Sequence, residues 1–131
     1  DSKAKGMCVG PQNAEETEQT YDTLDKQMED PYSIYNFVKQ TISIRNAFPE
    51  IARGTNTFEN DLSNDNVCIF TREYNGEKAV LIFNPSKDEA SVDVSSLGVN
   101  DAVAMLQTTK KAPSYKDGTA KLPAYSVLVL K

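Results

Sequence analysis

The chain has 131 residues, a formal net charge of −5 and no histidine, which is enough for one domain with its own core and removes His-based nucleophiles, His-ligated metals and imidazole acid–base work. Residues 1–30 carry eight acidic and three basic side chains, the whole net charge, whereas residues 31–131 carry eleven of each. The body is therefore neutral and has neither a basic stripe for nucleic acid or anionic lipid nor an apolar run of about 18 residues for membrane insertion.

The first segment, residues 1–30, is polar and acidic, with only Met7, Val9, Tyr21, Leu24 and Met28 as anchors. Such a stretch buries too little to order itself and reads as an extended loop or stub, with at most a helical turn near Ala14–Thr20. No charged-then-apolar leader opens it, and Asp1-Ser2-Lys3 reads as a cut end of something longer. Cys8 and Cys68 match no zinc or disulfide framework and read as buried or free thiols, with a Cys8–Cys68 bridge as the alternative.

Asp30-Pro31 then predicts a helix start, because Asp caps well and Pro costs nothing at the first position. The helix runs to Phe48 and stops before Pro49, with an apolar stripe of Ile34, Phe37, Val38, Thr41 and Ile42 at helical spacing. Gly54 frees the chain to turn into a short strand over Thr55–Phe58. The loop 60–66 is rich in Asp and Asn but lacks the central glycine and distal glutamate of a calcium loop, so solvated loop is the reading.

The strongest local signal is Asn75-Gly76, a two-residue type I′ turn between apolar runs. It fixes a register in which Tyr74 faces Glu77, Glu73 Lys78, Arg72 Ala79, Thr71 Val80, Phe70 Leu81, Ile69 Ile82 and Cys68 Phe83. Away from the turn both faces are apolar: Cys68, Phe70, Leu81 and Phe83 on one, Val67, Ile69, Val80 and Ile82 on the other. A sheet with one wet face alternates, so this hairpin is expected to be covered by a second sheet and by something else. Further strands follow near Ser91–Val94, Val103–Gln107 (helix being possible there) and Ser126–Leu130, with 110–118 as loop and Asp117-Gly118 as a turn, and residues 119–123 leading into the closing stretch. Ser126–Leu130 is apolar enough to be central. Short strands at this spacing argue for an antiparallel sandwich.

Two groups of residues carry a family resemblance. Ser33-Ile34-Tyr35-Asn36-Phe37-Val38 through Arg45-Asn46, with Pro49, Arg53 and Gly54, resemble the last barrel helix of glycoside hydrolase family 13, the α-amylase and α-glucosidase family. Val67, Phe70 and Arg72, then Glu77-Lys78, Val80-Leu81, Asn84 and Ser86, and finally Leu122-Pro123 with Tyr125-Ser126-Val127, resemble strands of that family's C-terminal β domain.

The resemblance implies a mainly β fold: an antiparallel β-sandwich of Greek-key type preceded by one α-helix and the extended acidic segment. Residues 1–30 would be a stub from the end of a catalytic barrel, 31–48 its last helix and 49–131 the sandwich. The family's catalytic carboxylates sit on earlier barrel strands, so no catalytic residue is assigned here, nor any cofactor or metal ligand; calcium would belong to the barrel. The expected partner is that barrel, and α-glucan only through it, with Ile34, Val38, Ile42, Ile69, Val80 and Ile82 as the packing face. An isolated chain is expected to self-associate through the helix stripe. A second reading is a free-standing sugar-binding module with Tyr74 and Tyr115 as ring platforms; a third is a plain interaction sandwich. The compartment stays open, secretion or surface display in a bacterium being what the family implies.

Overall fold

A computed structural model describes residues 20–131. The helical turn expected from Ala14 and the Cys8 thiol lie outside these residues. Three helices come first: α1 (Leu24–Glu29), α2 (Ile34–Ala47) and α3 (Pro49–Arg53). Eight strands follow: β1 (Thr55–Phe58), β2 (Cys68–Tyr74), β3 (Glu77–Asn84), β4 (Ala90–Asp93), β5 (Ala102–Leu106), β6 (Ser114–Lys116), β7 (Thr119–Leu122) and β8 (Ser126–Leu130).

The helices start later and are more numerous than the sequence suggests. The cap of α2 is Ser33, whose Oγ accepts from the Asn36 N–H at 3.3 Å. Asp30 is occupied elsewhere: its Oδ1 accepts from the Tyr32 N–H at 2.9 Å, closing a local turn around Pro31. The acidic stub also contains α1, which survives because α2 caps it. The Asn36 amide donates to the carbonyls of Gln27, Met28 and Asp30 at 3.0, 3.2 and 2.8 Å, the acceptors a short helix leaves open. Pro49 does end α2, yet it also opens α3, where its missing N–H is harmless.

Helix α3 is too short to be stable alone and is held by the sheet. Arg72 of β2 donates from Nη2 to the Ile51 carbonyl at 3.1 Å and from Nε to the Glu50 carbonyl at 3.4 Å, so a cation caps the negative helix end. Gly54 is needed for space rather than for turning: its φ is −68°, and a Cβ there would lie 2.8 Å from the Glu73 carbonyl oxygen and closer still to that of Glu50.

The strands form two antiparallel sheets, ordered β1-β2-β3-β8-β5 and β4-β7-β6. The chain runs through β1, β2 and β3 and crosses to β4. It returns for β5, crosses again for the β6–β7 hairpin and ends by inserting β8 between β3 and β5, as Greek-key wiring does. The β2–β3 register matches all seven expected pairs. Asn75 and Gly76 have φ of 52° and 81°, the left-handed pair that lets the turn follow the strand twist. Asp117 and Gly118 repeat this with φ of 49° and 81°. They join β6, in a stretch the sequence reads as loop, to β7.

Ile69, Val80, Ile82, Leu128 and Leu130 of the large sheet meet Val94, Val99, Ala120 and Leu122 between the sheets. Each Val, Leu or Ile among them contributes about 1.5–3 kcal/mol on burial. Two polar neighbours, Asn84 and Ser126, are sealed beside them. The Asn84 amide donates to the carbonyls of Asp88, Leu122 and Pro123 at 2.8, 3.1 and 2.9 Å. Its Oδ1 accepts from the Ser86 N–H at 3.0 Å and the Ser86 hydroxyl at 2.7 Å. Asn84 thereby ties the end of β3 to the β7–β8 connection.

The last residue locks the helices down. Lys131 Nζ donates to Glu50 Oε1 and, at 3.1 Å, to Glu77 Oε2. The Lys131 hydrogen bond, helped by the Glu50 backbone N–H, holds the Glu50 carboxyl below its ordinary value against the opposing effect of burial. Lys131 is correspondingly raised, chiefly by Glu50 and then by Glu77.

Replacing Asn84 with Ala strands buried carbonyls and is expected to cost about 2–4 kcal/mol; urea unfolding with an unchanged m-value measures it. The Glu50 contribution has a definite sign. A depressed carboxylate stabilises fully above its ordinary value of 4.5 and loses this as pH falls through the lower folded value. The thermal midpoint of Glu50→Gln should therefore lie below that of the unsubstituted protein at pH 7, and the two should converge as pH falls below 4.5 and through the lower folded value. A gap that widens in acid contradicts this assignment.

Candidate docking surface

Helix α2 presents two different sides. Phe37, Ile44 and Phe48 are half-buried on the side that packs toward the sheet and β5. On the other, Ile34, Val38 and Ile42 stand one turn apart with exposures of 49%, 49% and 54%, the spacing that stacks side chains in one row. Tyr35, Val38, Lys39 and Ile42 line a shallow apolar hollow of about 400 Å³ there. No residue of α2 is fully buried, although its sequence is that of a helix with a broad apolar face.

The sheet residues expected beside this stripe are elsewhere. Ile69, Val80 and Ile82 have 0% exposure and belong to the core between the sheets, so they are not a packing face for another module. The two faces of the hairpin are exchanged relative to the sequence reading, for a physical reason. Both are apolar, and a period of two does not say which one meets the second sheet. The outward face carries Cys68, Phe70, Arg72, Leu81 and Phe83, with Ala79 and Val129 of the same face buried; α3 lies against it at β2 and β3. The far end of that face is only partly covered: Cys68, Phe70, Leu81 and Phe83 are half-buried.

The two tyrosines have unequal roles. Tyr115 packs against the core and donates its hydroxyl to the Val99 carbonyl at 2.8 Å, which makes it a structural residue. Tyr74 lines a cleft of about 410 Å³ with Phe48, Glu50, Glu77 and Lys131, between the α2–α3 corner and the hairpin tip. Tyr125 is a ring the sequence reading passed over; it is 53% exposed, with φ of 50° in the turn before β8. No sequence signal separates its exposure from that of the other tyrosines.

In the loop 60–66 the Asn64 side-chain oxygen accepts from the N–H groups of Asn66 and Val67 at 2.9 and 3.0 Å, a turn-forming role. Among the described residues no group of three or more His, Cys, Asp or Glu gathers as a metal site.

Comparison with known proteins places this architecture. Residues 61–129 match the family profile described as Maltogenic Amylase, C-terminal domain. The solved structure of Eubacterium rectale Amy13B is similar at 98% identity and a TM-score of 0.90, the match covering 98% of this chain and 25% of that one. Trehalulose synthase MutB from Pseudomonas mesoacidophila is similar at 23% identity and a TM-score of 0.67 over 82% of this chain and 19% of its own. A MutB variant from crystals soaked with trehalulose gives 0.68 over the same shares. The MutB likeness carries the fold alone. No curated protein sequence matches this chain. The chain thus spans about a quarter of the length of Amy13B. With the profile covering more than half of its residues, the chain belongs to the maltogenic amylase C-terminal domain family, a C-terminal region of glycoside hydrolase family 13.

Proposed function

We propose that this chain is the non-catalytic C-terminal β domain of an α-amylase-family enzyme acting on α-1,4-glucans such as starch and maltodextrin, and that its work is to shield and stabilise a catalytic barrel. The observation that carries this is the half-exposed Ile34–Val38–Ile42 row on α2. A row of aliphatic side chains left in water is unusual on a monomer, and the Amy13B chain has three-quarters of its length outside the match. The helix then serves as a hinge piece. One side is joined to the sandwich through α3 and β5, and the other is offered to the barrel. Substrate would reach the chain only through the larger enzyme, and a calcium ion, if the enzyme uses one, would sit in the barrel.

A second reading, sugar binding by the domain itself, has one observation in its favour. Tyr74 lines a cleft that also holds the Glu50 and Glu77 carboxylates and the Lys131 ammonium, groups able to hydrogen-bond a pyranose stacked on a ring.

Val38→Asp in the longer enzyme should cost about 3 kcal/mol by forcing a charge into the contact. It should lower the thermal midpoint by several degrees while activity per molecule at low temperature barely changes. In the 131-residue chain the same substitution should leave the midpoint within a degree or two, because Val38 is exposed there. That chain alone should sediment above its monomer mass at high concentration, and Val38→Asp should abolish this. Equal destabilisation in both contexts refutes the docking role. For the second reading, maltoheptaose at millimolar concentration should move the Asn75 and Glu77 amide signals, and Tyr74→Ala should remove the response. Silence at that concentration rejects the Tyr74 site.

A further inference from the structure

The turn that fixes the β2–β3 register also carries a chemical weakness. Asn75 is the one asparagine of the chain that precedes a glycine. A residue without Cβ leaves its backbone nitrogen unshielded, and in the chain that nitrogen is the nearest nucleophile to the side-chain amide carbon before it. Asn75 and Gly76 are both exposed. The Asn75 side chain makes no hydrogen bond to the described residues, and a Cβ built on Gly76 would meet nothing within 4 Å.

Within the folded turn the attack is barred. A type I′ turn holds its first central residue at φ of about +60° and ψ of about +30°, and Asn75 has φ of 52°. At that ψ the Gly76 nitrogen lies nearly trans to the Asn75 Cβ about the Cα–C bond. Ring closure needs the two nearly eclipsed, so Asn75 must first leave the left-handed region. The other turn of this kind is held from outside. The Gly118 carbonyl accepts from the Val94 N–H at 2.8 Å, and a Cβ on Gly118 would lie 2.8 Å from the Ser95 Cβ. The Asn75-Gly76 tip has no such backbone bond to another element among the described residues, so it can open by itself.

We propose that Asn75 is a site of spontaneous deamidation gated by opening of the β2–β3 turn. In the open turn the Gly76 backbone nitrogen attacks Asn75 Cγ and gives up its proton to hydroxide. The carbon–nitrogen bond of the side-chain amide breaks, ammonia leaves, and a five-membered succinimide remains. Water then opens the ring. Addition at Cγ yields an ordinary aspartyl residue, and addition at the main-chain carbonyl carbon yields an isoaspartyl one. The net change is one water consumed and one ammonia released, with no oxidation or reduction. The two products differ in their effect on the fold. An aspartyl residue fits the turn, since Asp117 holds φ of 49° before Gly118. An isoaspartyl residue brings the side-chain methylene into the main chain, and a two-residue turn lengthened by one atom no longer sets the pairs of the ladder. Each opening of the tip thus exposes the domain to a step that refolding does not reverse.

Peptide mass spectrometry of the 131-residue chain in mildly alkaline buffer follows conversion at Asn75, with the isoaspartyl form scored by enzymatic methylation. The chain is compared folded and unfolded in guanidinium chloride. Conversion is expected at Asn75 ahead of every other asparagine in the unfolded chain, and about tenfold or more slower in the folded one, where only opened turns react. Asn75→Asp, which adds the charge without the extra backbone atom, should keep the thermal midpoint within a degree or two. Chain enriched in the isoaspartyl form should melt several degrees lower. Equal rates in folded and unfolded chain overturn the gating, and an unfolded chain that leaves Asn75 intact overturns the site. If the isoaspartyl form melts with the unmodified chain, or if Asn75→Asp falls as far as it does, the role given to the extra backbone atom is overturned.

Discussion

Everything in this molecule is referred to the β2–β3 ladder. Its turn holds Asn75 and Gly76 in the left-handed region, so the seven pairs that follow have no freedom to slip. A slip of one residue would put Ile69 and the Val80–Ile82 pair on opposite faces. Because the register holds, that row fills the space between the sheets, and Arg72 and Phe70 are delivered to the opposite side. From there Arg72 caps α3, α3 continues directly from α2, and Asn36 of α2 caps α1. The helical half of the chain is thus anchored through one hairpin, with Lys131, just past β8, as the second fastening.

The sequence disclosed the parts of the fold that local chemistry decides. The hairpin register, the boundaries of β1 and β8 and the central place of β8 all follow from turn residues and apolar runs. Elements that depend on distant partners were not legible. Helices α1 and α3 have six and five residues and form because Asn36 and Arg72 satisfy their carbonyls. Strand β6 has three residues and exists as the partner of β7. The start of α2 was misplaced because Asp30 and Ser33 are both good caps, and only the structure shows Asp30 spent on Tyr32.

The candidate site was half legible for a related reason. Helical periodicity puts Ile34, Phe37, Val38, Thr41 and Ile42 in one stripe, and the structure divides it: Phe37 is half-buried toward the sheet, and Ile34, Val38 and Ile42 form the exposed row. For the hairpin, alternation separates two faces but cannot name them, since both are apolar. The row assigned to another module, Ile69, Val80 and Ile82, is the core, and Cys68, Phe70, Leu81 and Phe83 face outward, half-buried. Tyr74 and Tyr115 look alike in sequence, yet the Val99 carbonyl claims the hydroxyl of one and a cleft opens beside the other. Gly54 was read as a turning point and is a point of close approach instead.

These features describe a filled core beside a helix whose Ile34–Val38–Ile42 row stays half exposed, in a chain about a quarter as long as Amy13B. The proposed function puts that row in the interior of a longer enzyme. Amide hydrogen exchange over residues 34–47, compared between this chain and the longer enzyme, tests that most directly. The account predicts that α2 exchanges readily in the short chain, where it has no fully buried residue, and is protected by orders of magnitude more in the long one. Equal protection of α2 in both proteins would contradict it.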